Sequence, residues 1–255
     1  MQSISQLAAQ SAVTLADMPE PPTNFSEPEI SAKSRAEIFK HYISQRGTRY
    51  LDCMLQNFEA DTEEKRGVVK QLEEMIVERK CVETCNGNNL VFVGPVGTGK
   101  DHLMTAAIRG LTMCDFFKSG QTVIWENGSR LFAKFRDGIS DGAGEIAGRS
   151  EYTSCRLLVL SDLCRAGQTL KEFQQQIIYD IIDRRYSFRR PTWVSINASG
   201  RGEMVSMFGA DIVDRLLHDA TVISCVWDSY RKLIDRKSSP PPRRHVPEQC
   251  TVKEF

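Results

Sequence analysis

The stretch Gly94–Lys100, with the sequence GPVGTGK, decides the fold. It follows the apolar run LVFV of residues 90–93 and opens a segment in which Leu103, Ala107 and Leu111 recur every fourth residue. A buried strand, a glycine-rich turn and a helix N-terminus in that order form an anion site, because backbone N–H groups and the helix dipole point at the phosphate. The pattern therefore predicts a bound nucleoside triphosphate. The predicted contacts to it come from Gly94, Pro95, Val96, Gly97, Thr98, Gly99, Lys100, Asp101 and His102.

One position departs from the usual form of such a loop. The residue after the lysine is ordinarily Ser or Thr, whose hydroxyl ligates Mg²⁺, whereas this chain has Asp101. A carboxylate can also ligate Mg²⁺, but it adds negative charge beside a polyphosphate. ATP and Mg²⁺ are the expected cofactors, and the expected enzymatic activity is a weak hydrolysis of ATP to ADP and phosphate.

Length and composition exclude several classes of protein. A chain of 255 residues holds one large α/β domain with short extensions. Its formal net charge is zero, so contact with nucleic acid has to come from a local basic patch. No apolar run approaches the roughly 18 residues of a membrane helix, and the N-terminus lacks the basic-then-apolar layout of a signal peptide. A cytoplasmic protein without membrane contact is expected.

The eight cysteines are scattered along the chain. Cys81 and Cys85 are the only close pair, and neither a second pair nor a nearby histidine completes a zinc site. Free, reduced thiols are expected. Cys155 and Cys225 stand in apolar surroundings and are predicted to be small core residues.

Proline content and periodicity divide the chain into three predicted regions. Residues 1–45 form a flexible N-terminal arm, and four apolar or aromatic side chains in residues 38–43 share the face of a short helix within it. That helix is either a brace on the core or a docking element for a partner. Residues 46–237 form the core, and the proline-rich residues 238–255 form a disordered tail.

Within the core, strand-like apolar runs alternate with amphipathic helical segments. This alternation indicates an α/β P-loop NTPase, with a five-stranded parallel sheet between helices. The predicted strands are residues 90–93, 122–125, 157–160, 193–196 and 221–227. Among the predicted helices, one is capped by Asp61 with Glu64, and another runs from Lys171 to Tyr186 and buries Phe173 with four isoleucines.

A second motif, LLVLSD at residues 157–162, supplies the acid that a phosphate-loop ATPase needs at the end of a neighbouring strand. Ser161 stands at the metal-holding position and Asp162 at the position that activates water, although a strand that ends in a polar turn has the same appearance. The predicted metal ligands are Asp101, Ser161 and Asp162, with Asp101 compensating for the serine. Asn197 ends the fourth strand, where it can orient water against the γ-phosphate. Asp162 and Asn197 are candidate catalytic residues.

The chain from about Arg46 to Arg231 resembles the DnaC-type replicative helicase loaders and, more broadly, the DnaC/IstB branch of the AAA+ ATPases. The resemblance is carried by RYLDCMLQNF (49–58), GPVGTGKDHL (94–103), LLVLSDL (157–163), IIDRRYSFRRPTWVSIN (181–197), GADIVDRL (209–216) and WDSYR (227–231). It implies an AAA+ core without a C-terminal helical lid. A polar residue other than Ser or Thr after GTGK is itself a feature of DnaC-type sequences, whereas Ser161 departs from their Asp.

The resemblance also implies roles for individual residues. It identifies Arg215 as an arginine finger that reaches the ATP of a neighbouring subunit, and it therefore implies self-assembly on ATP into an open ring or spiral. It places single-stranded DNA against basic residues on the helix after the second strand, here Lys134 and Arg136. The arginine cluster of residues 184–190 is a second candidate for phosphate contact. The expected partner is a hexameric replicative helicase, bound through the N-terminal arm.

Two other functions are compatible with the sequence. An IstB-type transposition helper, which assembles on duplex DNA and activates a transposase, has a similar ATPase core. A nucleotide-sensing binding module that no longer hydrolyses ATP is favoured by Ser161. The WDSYR ending and the residues DHL within the phosphate-loop motif favour the loader, which would deliver its helicase to single-stranded DNA.

Overall fold

A computed structural model of the chain describes residues 32–44, 46–77, 88–113, 123–140, 150–165 and 167–231. The predictions for most of the N-terminal arm, for the C-terminal tail and for the Cys81–Cys85 pair lie outside these residues. The expected absence of a helical lid likewise concerns residues after 231.

Five strands form one sheet, in which every described pairing is parallel. They are β1 (Leu90–Val93), β2 (Val123–Asn127), β3 (Leu157–Ser161), β4 (Thr192–Ile196) and β5 (Thr221–Ser224). Their order across the sheet is β2-β3-β4-β1-β5. The predicted fold class is therefore confirmed. Strand β4, which Asn197 follows, lies between β1, which leads into the phosphate loop, and β3, which leads into Asp162.

Seven helices whose bounds are given by the described residues surround this sheet. They are α1 (Ala32–Ser44), α2 (Glu63–Val77), α3 (Lys100–Met113), α4 (Gly128–Ser140), α5 (Glu172–Ser187), α6 (Arg201–Phe208) and α7 (Ala210–Leu217). Two 3₁₀ turns, Thr48–Tyr50 and Leu55–Asn57, connect α1 to α2. None of the helices in these ranges has the length and apolarity needed to cross a membrane.

Alternation along the strands separates two hydrophobic cores. Phe92 and Trp193 point to one face of the sheet, where they pack with α1, α2 and α3. Val91 and Val194 point to the other face, which is covered by α4 to α7. The N-terminal helix α1 belongs to the first core, because its residue Phe39 is only 3% exposed and packs with that cluster. This packing makes α1 a brace on the core.

Three local predictions differ from the structure. Phe173 in α5 is 39% exposed, because only the isoleucine face of that helix meets the sheet. The hydroxyl of Thr62 accepts a hydrogen bond from the backbone N–H of Lys65 at the start of α2, whereas Asp61 forms an ion pair with the Lys65 ammonium at 2.5 Å. Strand β5 ends at Ser224, since the chain then turns toward the phosphate loop. The prediction that Cys155 and Cys225 are core residues is confirmed.

Candidate functional site

The phosphate loop joins β1 to α3 and depends on its glycines. Gly97 has a φ of +88°, and a Cβ at this position would lie 1.9 Å from Ser229 Oγ. Gly94 has a φ of +153°, and its Cβ would lie 2.2 Å from the carbonyl oxygen of Cys225. Backbone conformation and available space both favour glycine here. The loop can therefore pack directly against the segment that follows β5.

That segment, residues 225–231, supports the loop from one side. The indole Nε1 of Trp227 donates a hydrogen bond to the carbonyl oxygen of Thr98 at 2.8 Å. The ring of Phe58 meets the rings of Trp227 and Tyr230 edge-on, with centroids 6.1 and 5.6 Å apart. The first and last motifs of the resemblance, which are distant in sequence, thus form adjoining walls of one site.

A cleft of about 430 Å³ opens beside the loop at the carboxyl edge of the sheet. Its lining comes from within residues 49–59 and 96–102, from Asp162, Ser195 and Asn197, and from Tyr230 and Arg231. The parallel topology explains this meeting, because the carboxyl ends of β1, β3 and β4 lie at the same edge. A cleft of this volume is in the range of small-molecule sites.

Lys100 lies at the base of the loop and is 6% exposed. Its Nζ donates hydrogen bonds to the carbonyl oxygens of Gly94 at 2.8 Å and Pro95 at 2.6 Å. Burial lowers the pKa of this ammonium. A phosphate oxygen would be a stronger acceptor than these neutral carbonyls, because a hydrogen bond between opposite charges is about twice as strong. The lysine therefore lies at the base of the loop, and its contact to the outer phosphates stays a prediction.

Two other loop side chains hold the polypeptide in place. Thr98 is fully buried, and its hydroxyl donates to the carbonyl oxygen of Pro95 at 3.0 Å. The Nε2 atom of His102 lies 3.0 Å from the carbonyl oxygen of Met54, and the imidazole packs edge-on against Phe58 with centroids 5.5 Å apart. His102 lines the cleft, whereas Thr98 supports the loop from beneath it.

Asp101 is engaged on both of its carboxylate oxygens. Its Oδ2 forms an ion pair with Nη2 of Arg46 at 2.5 Å, and its Oδ1 accepts a hydrogen bond from Ser195 Oγ at 2.8 Å. Asp101 still lines the cleft. Its negative charge, which the sequence places beside the phosphates, is thus already compensated by a cation of the same chain.

The remaining predicted metal and catalytic residues of this edge differ in their surroundings. Ser161 is fully buried, and its hydroxyl accepts a hydrogen bond from Nε1 of Trp125 at 3.0 Å, so this side chain serves the sheet. Asp162 is exposed, with a φ of +47°, and its Oδ1 accepts a hydrogen bond from Nδ2 of Asn197 at 3.2 Å. The structure brings Asp101, Asp162 and Asn197 to one cleft and leaves Ser161 outside its lining.

Arg215 lies on α7 and does not line the cleft of its own chain. Its Nε donates to Asp183 at 2.8 Å, and its guanidinium lies 4.9 Å from the ring centroid of Tyr179. The side chain of Asp183 is 40% exposed and that of Arg215 is 26% exposed. The role of Arg215 as an arginine finger, which acts across an interface, stays a prediction.

Lys134 and Arg136 have different environments on α4. The ammonium of Lys134 contacts the carboxylate of Glu126, which is fully buried, and lies 3.0 Å from Tyr152 Oη. Arg136 is exposed and lines a cavity of about 300 Å³ beside Asp162. The charge of Lys134 is used within the fold, whereas that of Arg136 faces a cavity.

That cavity carries further basic residues that sequence reasoning did not single out. Arg165 and Lys171, from the segment between β3 and α5, line it together with Arg136. Their signal in the sequence was weak, because the two residues are separated from Arg136 by a strand and a long connection. Tertiary structure alone makes them neighbours.

The basic cluster of residues 184–190 divides in the structure. Arg185 is fully buried and donates hydrogen bonds to the carbonyl oxygens of Tyr152 at 2.8 Å, Cys155 at 3.0 Å and Pro191 at 2.5 Å. Burial lowers its pKa to about 10. The interpretation of Arg185 as a phosphate contact is therefore wrong, since this guanidinium joins the segment before β3 to the start of β4.

Sequence reasoning also assigned no role to several residues of the nucleotide cleft. Arg49, Tyr50 and Phe58 line it, and all three lie within the first motif that carries the resemblance. Arg46 and Ser195, the two partners of Asp101, had no sequence signal, because each is distant from the phosphate loop in the chain.

A nucleotide fits this donor set, whereas a metal ion has fewer suitable ligands. Glycines in left-handed conformations and a lysine at a helix N-terminus are groups that bind phosphate. No cluster of three or more His, Cys, Asp or Glu suited to a metal occurs among the residues that the structure describes. Mg²⁺ commonly takes one or two carboxylates together with water and substrate phosphates, and the exposed Asp162 fits that requirement.

Residues 56–238 match the family of IstB-like ATP-binding proteins. The chain belongs to this family. The replicative helicase loader DnaC of Escherichia coli (strain K12) is 27% identical to it over 214 residues, which cover 82% of each protein. The DnaC loader of Buchnera aphidicola subsp. Acyrthosiphon pisum is 27% identical over 223 residues, again covering 82% of each.

Among solved structures, a crystal structure of the DnaC helicase loader is similar, with a TM-score of 0.59 and 19% identity. The similarity covers 70% of this chain and 99% of that one. At this identity the structural likeness shows the fold alone. Together, the family match and the curated relatives confirm the resemblance to DnaC-type loaders and to the AAA+ branch that contains them.

Proposed function

We propose that this protein is an ATP-binding AAA+ protein of DNA replication that loads a hexameric replicative helicase onto single-stranded DNA. In this proposal, ATP drives self-assembly, and Arg215 of one subunit reaches the ATP of the next. The observation that carries the proposal is the match to named helicase loaders over 82% of both chains, around a cleft that is built from a phosphate loop.

The described contacts support the proposal in three ways. The phosphate loop is preorganised, because residues 225–231 and Phe58 hold it in place. The cleft brings an exposed carboxylate, Asp162, within hydrogen-bond distance of Asn197, an arrangement suited to orienting water. Arg136, Arg165 and Lys171 give the adjoining cavity a positive charge that suits a phosphate backbone.

Turnover is proposed to be slow. Mg²⁺ bound with the triphosphate would supply charge neutralisation, and Asp162 would hold it, while Asp101 and Ser161 are engaged by Arg46 and Trp125. Asn197 and Asp162 would then orient water in the cleft. A chain that binds ATP and shows no turnover with or without DNA would instead be a nucleotide-sensing module.

Lys100→Ala tests the nucleotide site. Loss of the ammonium should weaken ATP binding by at least about 100-fold, because hydrogen bonds to charged groups are worth roughly 1.5–3 kcal/mol each. Binding is measured by fluorescence anisotropy of a labelled ATP analogue. Lys70→Ala is the matched control, since this lysine is 76% exposed on α2 and forms only a long ion pair of 3.7 Å. Equal affinities for Lys100→Ala and wild type would remove the nucleotide site from the proposal.

A loading experiment separates the two DNA-related functions. The protein is incubated with ATP, circular single-stranded DNA and the replicative helicase of its own source, and helicase retained on DNA is measured after gel filtration. Retention should depend on ATP and be lost with Lys100→Ala. Failure to retain helicase, combined with stable binding to duplex DNA and to a transposase, would favour the IstB-type helper that the family match also permits.

A further inference from the structure

Arg46 occupies an unusual environment beside the phosphate loop. Its guanidinium lies 4.8 Å from the ring centroid of Tyr50 and 4.8 Å from that of Trp125. The side chain is only 9% exposed, and it forms the 2.5 Å ion pair with Asp101. Aromatic faces on two sides and a carboxylate on the third fix its position more firmly than a surface ion pair would.

Arg46 meets the one residue of the loop that is electrostatically unfavourable for its ligand. An exposed carboxylate at Asp101 would repel a polyphosphate, and the repulsion would increase with the charge of the nucleotide. The ion pair removes that net charge, and Ser195 Oγ, 2.8 Å from the other oxygen, fixes the orientation of the carboxylate. The ion pair therefore has no net charge, and the Asp101 carboxylate within it is held in one orientation.

We propose that Arg46 is a positioning residue of the nucleotide site, which neutralises Asp101 and thereby allows a phosphate loop with an acid after its lysine to accept a triphosphate. The proposal rests on the proposed function of the cleft as an ATP site. It explains how the chain tolerates Asp101 where a serine or threonine is usual, because Arg46 and Ser195, which lie outside the loop, hold the carboxylate. Arg46 acts through Asp101 and is not required to contact the nucleotide.

The test is a double-mutant cycle on nucleotide affinity, in EDTA so that no metal contributes. Arg46→Gln should weaken ATP binding by about 10-fold and ADP binding by about 3-fold, because repulsion from the exposed Asp101 scales with ligand charge. Asp101→Asn should bind ATP at least as tightly as wild type. In the Asp101→Asn background, Arg46→Gln should change ATP affinity by less than about 2-fold, as coupled residues do when one partner is already removed.

Two further variants keep the test independent of folding. Arg46→Lys retains the positive charge but loses the planar guanidinium that meets the two rings, so it should weaken ATP binding less than Arg46→Gln does. Arg109→Gln is the matched control: this arginine also holds the N-terminal segment, donating to the carbonyl oxygen of Leu51 at 2.8 Å and lying 5.2 Å from the ring centroid of Phe39. It should leave the affinities for ATP and ADP unchanged.

Several outcomes would overturn the proposal. If the double variant binds ATP as weakly as Arg46→Gln alone, or if ATP and ADP are affected equally, Arg46 contributes through folding or by direct contact. Weak ATP binding by Asp101→Asn in EDTA would show that the carboxylate itself favours the nucleotide. Should the unaltered chain bind neither nucleotide, the proposed function fails and this proposal fails with it. Normal wild-type binding without the charge-dependent pattern rejects the role of Arg46 alone.

Discussion

Two carboxylates of this protein are each held by a cation from another element, yet their surroundings differ. Asp101, paired with Arg46, lines the nucleotide cleft and keeps 21% of its side chain exposed. Glu126, paired with Lys134, is fully buried beneath α4. Water and a ligand can reach the first pair, so it can set the electrostatics of a site. In the second pair the Glu126 carboxylate is closed to solvent while the Lys134 side chain is 47% exposed, so this pair contributes to the stability of the fold.

The largest expected effect follows from removing the cation that pairs with the buried Glu126 carboxylate. Lys134→Ala should lower the free energy of unfolding by about 3 kcal/mol, because removal of one partner leaves a buried charge without compensation. Arg130 Nε lies 3.6 Å from the second carboxylate oxygen of Glu126 and can offset only part of the loss. The measurement is urea unfolding followed by circular dichroism. A loss below about 0.5 kcal/mol, the usual range of a surface substitution, would contradict the comparison.

The ion pair of Lys134 with Glu126 also has an expected pH dependence. Burial acts to lower the pKa of Lys134, but its hydrogen bonds to Glu126 and Tyr152 outweigh it, so the pKa is raised above 10.5. The pKa of Tyr152 is also raised, to about 12, and here burial is the main cause. A raised lysine pKa gives stability that is fully present below the unfolded value and is lost as the pH rises through the folded one. The difference between wild type and Lys134→Ala should therefore be constant at neutral pH and shrink only above pH 10.5.

This contrast marks how far the sequence could predict the molecule. The phosphate loop and the strands were predictable, because strand, glycine turn and helix have local signatures that survive in any tertiary context. The role of each charged side chain was not predictable. In the sequence, Lys134, Arg136 and Arg185 are all simply basic residues. In the structure, Lys134 neutralises a buried carboxylate, Arg136 faces a cavity and Arg185 is enclosed by carbonyl oxygens. Only the packing of distant elements decides among these environments.

A third pair, in which both partners are partly exposed, sharpens the comparison. Arg215→Ala removes an ion pair with Asp183 that is partly open to solvent, so it should cost no more than about 1 kcal/mol of stability. ATP binding by the monomer should stay unchanged, because Arg215 does not line the cleft of its own chain. ATP-dependent assembly, followed by sedimentation velocity, should be lost, since the proposed finger acts across an interface.

Arg201→Ala provides the matched control for this variant. Arg201, on the neighbouring helix α6, forms a looser pair with Asp214 of α7. The two groups are 3.5 Å apart, and both side chains are more than half exposed. Assembly should survive its removal. Mixing Arg215→Ala with Lys100→Ala subunits adds a second readout, because each mutant supplies what the other lacks. Loss of ATP affinity in isolated Arg215→Ala subunits would assign this arginine to its own pocket.

The smallest expected effect belongs to Arg136, whose charge faces the cavity beside Asp162. Arg136→Ala should leave stability and ATP affinity unchanged and weaken binding to single-stranded DNA in the presence of ATP. Each lost phosphate contact reduces the slope of log K against log salt by about 0.7, through counterion release. Fluorescence anisotropy with labelled oligothymidine across a salt series measures that slope, and Lys70→Ala serves as the control of equal charge. Lys134 is kept unchanged in this experiment, because its removal should lower the free energy of unfolding. A slope that Arg136→Ala leaves unaltered would move the DNA path away from α4 and toward the exposed arginines of residues 184–190.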